Sequence, residues 1–506
     1  MKLDVKKNAI KSSFWGIFAK IVMLLFPFII RTIIIRILGS EYAGLGNLFS
    51  SILQVLSLAE LGFGSAIVFS MYQPIVEDNK VKQREILNFY KKVYICIGFL
   101  ILLIGMFVMP FLRFLIKGDI PNDVNIYILY AIYLFDTGIS YFLFAYRGAL
   151  FNAYQRQDIS AKVSVSISII MYIVQILLLV KCKNYYAYVI CVPICTLLIN
   201  IGTYIVAKKN FPDLYPEGDL DKEEKKSIYD KIRALMLHKV GGIVLNSADT
   251  IVISAFLGLT ILANYNNYYY LLSSVSALIE VLFISLTAGI GNSILIDDDC
   301  SIKQRFYNIL YINASVVTVC TCCFFALYQD FISIWVGKDK LFDIFTVILL
   351  CIYFYVHMIR RAILMYRDAA GVWKENQWQP IVSAVFNLVV NIILVQFIGI
   401  YGILISSILA QILIDIPWES NITTNAVLKE NSQKYFAHIL VFAMISMISM
   451  AIIYFIKINL VLNIYLMIVV ELIVAILVPI ILIPVGTFFL PGFKTLKLII
   501  CNKFNL

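Results

Sequence analysis

The chain has 506 residues, of which 61% are hydrophobic and 14% charged, with a formal net charge of +10 and a mean hydropathy of +0.89. A soluble globular chain averages about 25% charged and 45–50% apolar residues, so a chain this apolar cannot cover its own surface in water. That excludes the soluble classes, and the natural unit of organisation becomes the membrane span of roughly 20 apolar residues.

In chain order, Met1 to Lys11 is basic and leads into an apolar stretch from Ser13 to about Leu38. The stretch is too long for a signal-peptide core and carries no small-residue cleavage site, so it reads as a retained first helix. Apolar runs then predict helices near 13–38, 43–72, 89–115, 123–146, 160–180, 185–207, 232–257, 261–290, 306–328, 342–364, 378–397, 400–420, 435–456 and 460–488. The fold class expected is an all-α polytopic membrane protein of about fourteen transmembrane helices, as two pseudo-symmetric six-helix lobes plus two C-terminal helices. The domains are 1–210, a charged cytoplasmic linker at 211–231, 232–424, and 425–506 with the last two helices and a tail. With the N-terminus inside, about 30 of the 41 Lys and Arg residues fall on the inner side, a strong positive-inside bias that places both termini in the cytoplasm. The basic charge is thus mostly a topology signal, with anionic membrane lipids as secondary partners and no nucleic acid implied.

The halves resemble each other at an offset of about 220 residues. Leu38-Gly39 matches Leu257-Gly258, and Asn47 matches Asn267. Leu58-x-Glu60-x-x-Phe63 matches Leu278-x-Glu280-x-x-Phe283. Val81-Lys82-Gln83-Arg84 matches Ile302-Lys303-Gln304-Arg305, and Tyr146-Arg147-x-Ala149 matches Tyr366-Arg367-x-Ala369. An even number of helices separates the partners, so the halves share one orientation. Parallel repeats of this kind build transporters with a substrate site between the lobes.

Polar stripes mark the faces that avoid lipid. Lys20 and Arg31 share a face of the first helix, about three turns apart, with Pro27 between them to kink it. In the second span Asn47, Ser50, Gln54 and Ser57 repeat at 3-4-3 spacing, continued by Glu60. In the seventh, Lys239, Gly242, Asn246 and Asp249 do the same. In the eighth, Asn266, Tyr269, Ser273, Ser276 and Glu280 do so again, with Asp136 and His357 as further members. A charge at mid-bilayer costs about 2.5–3.5 kcal/mol or more, so these faces look at one another or at water. They read either as buried ion pairs joining the halves or as the lining of a water-filled cavity, and the whole set favours the cavity. The last two spans carry only Glu471 as a carboxylate and read as a peripheral groove or as completion of the fold.

Catalytic signatures are weak. Asp297-Asp298-Asp299 sits in a loop too short to hold a catalytic domain and reads as a solvated acidic turn. His238, His357 and His438 are far apart, and no Gly-rich phosphate loop is present. The cysteines lie in apolar runs without metal-ligand spacing and read as core. The chain is therefore expected to be no enzyme and to need no cofactor or metal.

Several segments carry a family resemblance. They include Ala248-Asp249-Thr250-Ile251-Val252-Ile253-Ser254, Tyr265-x-Asn267-Tyr268-Tyr269 and Ile290-Gly291-Asn292-Ser293. So do Ala370-Gly371-x-Trp373-Lys374-x-x-Gln377-Trp378-x-Pro380, Asn387-Leu388-x-x-Asn391, and Arg36-Ile37-Leu38-Gly39 with Leu61-Gly62-x-Gly64. Together they resemble the Wzx-type oligosaccharide flippases of the multidrug/oligosaccharidyl-lipid/polysaccharide exporter superfamily. The resemblance implies a V-shaped pair of lobes in the bacterial cytoplasmic membrane. They would flip a polyprenyl-pyrophosphate-linked oligosaccharide of the O-antigen or capsule kind, alongside glycan polymerase machinery. It also implies a cationic site in the first helix, where Arg31 and Arg36 sit. On this reading Lys20, Arg31, Arg36 and Lys239 attract the pyrophosphate. Asn47, Gln54, Asn246, Asn266, Tyr269 and Ser273 bond the sugar. Glu60, Asp136, Asp249 and Glu280 balance the cations or bind an antiported H⁺ or Na⁺. A cation-coupled multidrug exporter is the alternative, and an integral glycan polymerase or ligase a more distant one.

Overall fold

In the lipid-facing part of a membrane every backbone N–H and C=O must find a partner within the protein, so a chain with this hydropathy resolves into helices. The structure, a computed structural model, describes residues 5–60, 62–118, 120–373, 375–459 and 463–493 and contains no strand among them. The helices are α1 Val5–Ile37, α2 Ser40–Leu56, α3 Phe63–Val76, α4 Lys80–Val108, α5 Ile126–Phe142, α6 Gly148–Ala153, α7 Gln157–Cys182, α8 Tyr185–Asn210, α9 Lys222–Leu257, α10 Leu259–Ile296, α11 Asp299–Trp335, α12 Ile344–Ile359, α13 Arg361–Ala370, α14 Gln379–Ile398, α15 Ile400–Ala410, α16 Ile416–Thr423, α17 Gln433–Ile458 and α18 Ile464–Thr487. Among the described residues, twelve helical stretches are long and apolar enough to cross a membrane, with α3 and α5 as shorter apolar helices. Each predicted span has a helical counterpart, so the figure of about fourteen stands as an approximation.

Several spans differ in their bounds from the sequence expectation, among them the third and ninth, which begin early at Lys80 and Asp299, and the tenth, which breaks at Arg360; two differences have a clear local cause. The second is not continuous: α2 ends at Leu56, a 3₁₀ turn covers Ser57–Glu60, and α3 starts at Phe63. Gly62 and Gly64 follow Glu60 here, where Leu282 and Ile284 follow Glu280 in the repeat. Glycine weakens a helix interior by about 1 kcal/mol each, and α10 runs unbroken through Glu280. The seventh span begins early, at Lys222. Asp221 caps it, and the Glu224 side chain accepts from the Asp221 N–H at 3.3 Å. This is a capping box that hydropathy alone passes over.

The chain divides into two compact units, Met1–Ala263 and Asn264–Leu506. In the first, α7 packs along α1 and α8, α5 joins α4 to α8, and α9 lies against α2. The matching glycines of the sequence repeat share a backbone state. Gly39 before α2 has φ 129° and Gly258 before α10 has φ 96°, a region closed to most side chains. A Cβ on Gly258 would also meet the Lys117 carbonyl at 2.9 Å. In the second unit α11 is central, buried by Phe306, Leu310, Ala314, Val317 and Phe325 against α12, α17 and α18, while α14 and α15 form a hairpin. Asn387 and Asn391 of the family-like motif glue that hairpin. Asn387 Nδ2 donates to Ser407 Oγ at 2.9 Å, Asn391 Nδ2 donates to Asn387 Oδ1 at 3.1 Å, and Ser406 donates to Asn391. Small and polar residues drive helix association where apolar surface gives no net force.

The charged segment after α8 is held rather than free. Lys80 pairs with Asp213 at 2.6 Å, Lys92 with Asp219 at 2.6 Å and Arg84 with Glu217 at 3.2 Å. Arg84 also lies 4.0 Å over the Tyr215 ring, and buried Arg147 donates to the Leu214 carbonyl at 3.3 Å. The lysine hydrogen bonds hold the Asp213 and Asp219 carboxyls below the usual carboxylate range.

Candidate functional site

In the first unit, the Arg31 guanidinium on α1 reaches α2 and the start of α10. Nη1 donates to Asn47 Oδ1 at 3.4 Å and Nη2 to the Ala263 carbonyl at 3.0 Å. Gln54, exposed on α2, accepts from Ser247 of α9 at 3.3 Å, so Gln54 of the second span's stripe reaches α9 beside, and not on, the predicted stripe of the seventh span. Tyrosines surround this region, a feature the stripe analysis missed. Tyr133 and Tyr185 hydroxyls lie 3.4 Å apart, and a Cβ on Gly46 would fall within about 3 Å of both, at 3.1 and 2.8 Å. Tyr42 packs edge-on to Tyr185, and Phe49 to Tyr130 and Tyr133. The chain's 31 tyrosines were the available signal. Lys20 and Arg36 are exposed on α1, and Asp249 is half-buried on α9. Lys239 and Asn246 fall on α9, but their side chains lie outside the described residues.

Two carboxylates of this unit are held by hydroxyls. Glu60, at the α2–α3 break, accepts from Tyr141 at 2.6 Å and from Tyr94, which itself accepts from Tyr90 at 2.6 Å. Asp136 on α5 accepts from Thr196 on α8 at 2.6 Å. Among the described residues neither forms an ion pair. A carboxylate that is solvated by hydroxyls and not neutralised by a cation can bind a proton or a metal ion without first breaking a salt bridge.

In the second unit, Glu280 of α10 pairs with Arg361 at the start of α13, and Arg361 Nη2 lies 3.1 Å from His357 Nε2. Tyr353 stacks on His357 with centroids 5.8 Å apart, and Tyr269 lies 6.3 Å from Tyr353. The structure thus brings Glu280 and His357 onto one arginine, with Tyr269 linked to them through Tyr353; the sequence pattern marks that arginine only as inner-side charge. Asn266 is half-buried and its Nδ2 has no partner among the described residues, while Ser273 turns back to the Tyr270 carbonyl of its own helix at 3.0 Å.

Beside this lies a cluster absent from the sequence reading. Arg360 Nε and Nη2 donate to Glu419 at 2.9 and 2.6 Å, Nη1 pairs with Asp415 at 2.8 Å and donates to Gln411 at 3.3 Å. Gln379 donates to Asp415 as well. Gln411, Asp415 and Glu419 recur every four residues, a stripe as regular as those noted in earlier spans. A π-turn over Gln411–Asp415 widens the helix there, as such turns do at functional sites. Farther along, an apolar cavity of about 330 Å³ is bounded by Leu271, Cys320, Phe324, Leu327, Phe331 and Ile468, from α10, α11 and α18.

A polytopic helical membrane protein with ionisable groups inside its spans falls in the class of transporter folds. Superposition specifies that class. Over 95% of this chain and 99% of the other, the fold matches "Lipid II flippase MurJ, inward closed conformation" at TM-score 0.65 and 16% identity. It also matches inward- and outward-facing multidrug resistance MATE family transporters of the MOP superfamily, each at TM-score 0.53, with 13% and 14% identity. These cover 82% and 84% of this chain and 99% and 97% of theirs. Residues 9–288 match the family described as "Polysaccharide biosynthesis protein", and the chain belongs to that family. No curated protein matches it by sequence.

Proposed function

We infer that this protein carries a polyprenyl-pyrophosphate-linked oligosaccharide across the bacterial cytoplasmic membrane by alternating access, coupled to H⁺ or Na⁺. What supports the reading is one conjunction. A chain of the polysaccharide biosynthesis family holds arginine, amide and tyrosine side chains together with carboxylates inside membrane-spanning helices. Charged groups there are costly and default to function. Arg31 and Arg36, with Lys20 and Lys239, take the pyrophosphate by charge-assisted hydrogen bonds. Asn47, Gln54, Asn246, Asn266, Tyr269 and Ser273 bond the sugar. Glu60 and Asp136 carry the coupling ion, with Asp249 and Glu280 as further candidates. The apolar cavity beside α18 accommodates part of the lipid tail.

The test is leaflet-resolved. On depletion of the protein in its host, lipid-linked oligosaccharide accumulates on the cytoplasmic leaflet, and wild type but not Arg31→Ala clears it. The likeness to MATE transporters favours a second reading, cation-coupled export of small molecules. Unchanged lipid-linked intermediates together with a new drug sensitivity would select it.

A further inference from the structure

Arg360 and Arg361 are adjacent in sequence and differ in how their donors are used. Arg360 is spent: its Nε, Nη1 and Nη2 all face acceptors on Gln411, Asp415 and Glu419. Its side chain is 10% exposed, and that of Glu419 3%. Such a network is a fixed structural element, since removing one partner strands a buried charge.

Arg361 is not spent. Both of its contacts, to Glu280 and to His357, use the single nitrogen Nη2. Its Nε is buried and, among the described residues, has no hydrogen-bond partner. The pair is also more open than its neighbour, with Arg361 24% and Glu280 32% exposed. A guanidinium only donates, so His357 Nε2 must accept and carries no proton. The histidine therefore adds no second positive charge and leaves the guanidinium as the local cation. The aromatic faces of Tyr353 and Tyr269 continue the same surface. The remaining charged neighbours, Arg360, Asp415 and Glu419, are committed to one another.

A carboxylate held through one nitrogen leaves the Nε–Nη2 edge of the fork half filled. A phosphate oxygen pair fills both positions, the bidentate arrangement for which arginine is suited and lysine is not. We propose that Arg361 is a substrate-binding residue of the second unit, held by Glu280 in this state, and that a phosphate of the incoming lipid-linked substrate exchanges with that carboxylate. This rests on the pyrophosphate-bearing substrate class inferred above and extends it to a cation that the first-helix reading does not contain. Glu280 is then a stand-in anion that keeps the guanidinium compensated within the membrane when no substrate is bound.

The experiment uses the full-length protein in lipid nanodiscs, with geranylgeranyl pyrophosphate as the probe and geranylgeraniol as the tail-only control. Glu280→Gln removes the competing charge and is expected to tighten pyrophosphate binding several-fold without changing geranylgeraniol binding. Arg361→Gln is expected to weaken it at least tenfold, and Arg361→Lys to fall between. Should Arg361→Gln fail to fold, Glu280→Gln and Arg361→Lys decide alone. Wild-type binding that none of these variants changes would overturn the role of Arg361 and leave the substrate class intact. No preference for the pyrophosphate over geranylgeraniol in any variant would overturn both.

Discussion

Glu60 and Glu280 hold corresponding places in the sequence repeat, and their surroundings separate them. Glu60 is met by the hydroxyls of Tyr94 and Tyr141, and Glu280 by a guanidinium. A glutamine at position 60 can accept from one of the two tyrosines through its Oε1 and donate to the other hydroxyl through its Nε2. Glu60→Gln is therefore expected to keep its melting temperature within a few degrees, since the amide leaves neither tyrosine hydroxyl without a partner, while substrate export falls at least tenfold. Unchanged export in vesicles would remove Glu60 from ion coupling. Arg360 predicts the opposite pattern. Arg360→Ala leaves Asp415 and Glu419 buried without their paired guanidinium, Arg367 lying 4.0 Å from Glu419. It should destabilise the protein by about 3–5 kcal/mol, read as loss of thermal stability in detergent. The four-residue spacing of Gln411, Asp415 and Glu419 was legible in the sequence. Their pairing with Arg360, more than fifty residues earlier, was not, because ion-pair partners are chosen by helix packing.

At the scale of elements, the segment between α8 and α9 shows how little charge content says about order. Its acidic run suggested a solvated linker, yet it lies along the first turns of α4 through Lys80, Arg84 and Lys92. Asp213 and Asp219 have carboxyls depressed by Lys80 and Lys92. A depressed carboxylate contributes stability that is present above its unfolded value, about 3.9, and is lost as pH falls through the folded one. Limited proteolysis between residues 211 and 221 should accordingly stay slow at neutral pH and accelerate below about pH 4. High salt at pH 7 should speed it too, because exposed pairs are screened. The turn between α9 and α10 gives a second expectation. Gly258→Ala must hold a side chain at φ 96° and against the Lys117 carbonyl, a strain of about 1–3 kcal/mol. Thermal unfolding of that variant would measure it.

For the whole molecule, the expected topology places Cys182, at the end of α7, outside and Cys300, at the start of α11, inside. Both are exposed. In single-cysteine variants, a membrane-impermeant maleimide applied to intact cells should label Cys182 and spare Cys300, with Cys300 labelled only after lysis. The reverse pattern would invert the orientation drawn from the basic loops. The class of fold, the approximate number of spans and the matching glycines of the repeat were determined by the sequence itself. Burial in lipid imposes long apolar runs, and a backbone with φ near 100° imposes glycine, and both are local demands visible in one stretch of chain. The hydroxyl cage around Glu60 and the contrast between Arg360 and Arg361 were decided only by the tertiary structure. Each depends on which side chains distant helices bring within 3 Å, and that is set by packing between elements and leaves no mark at any single position.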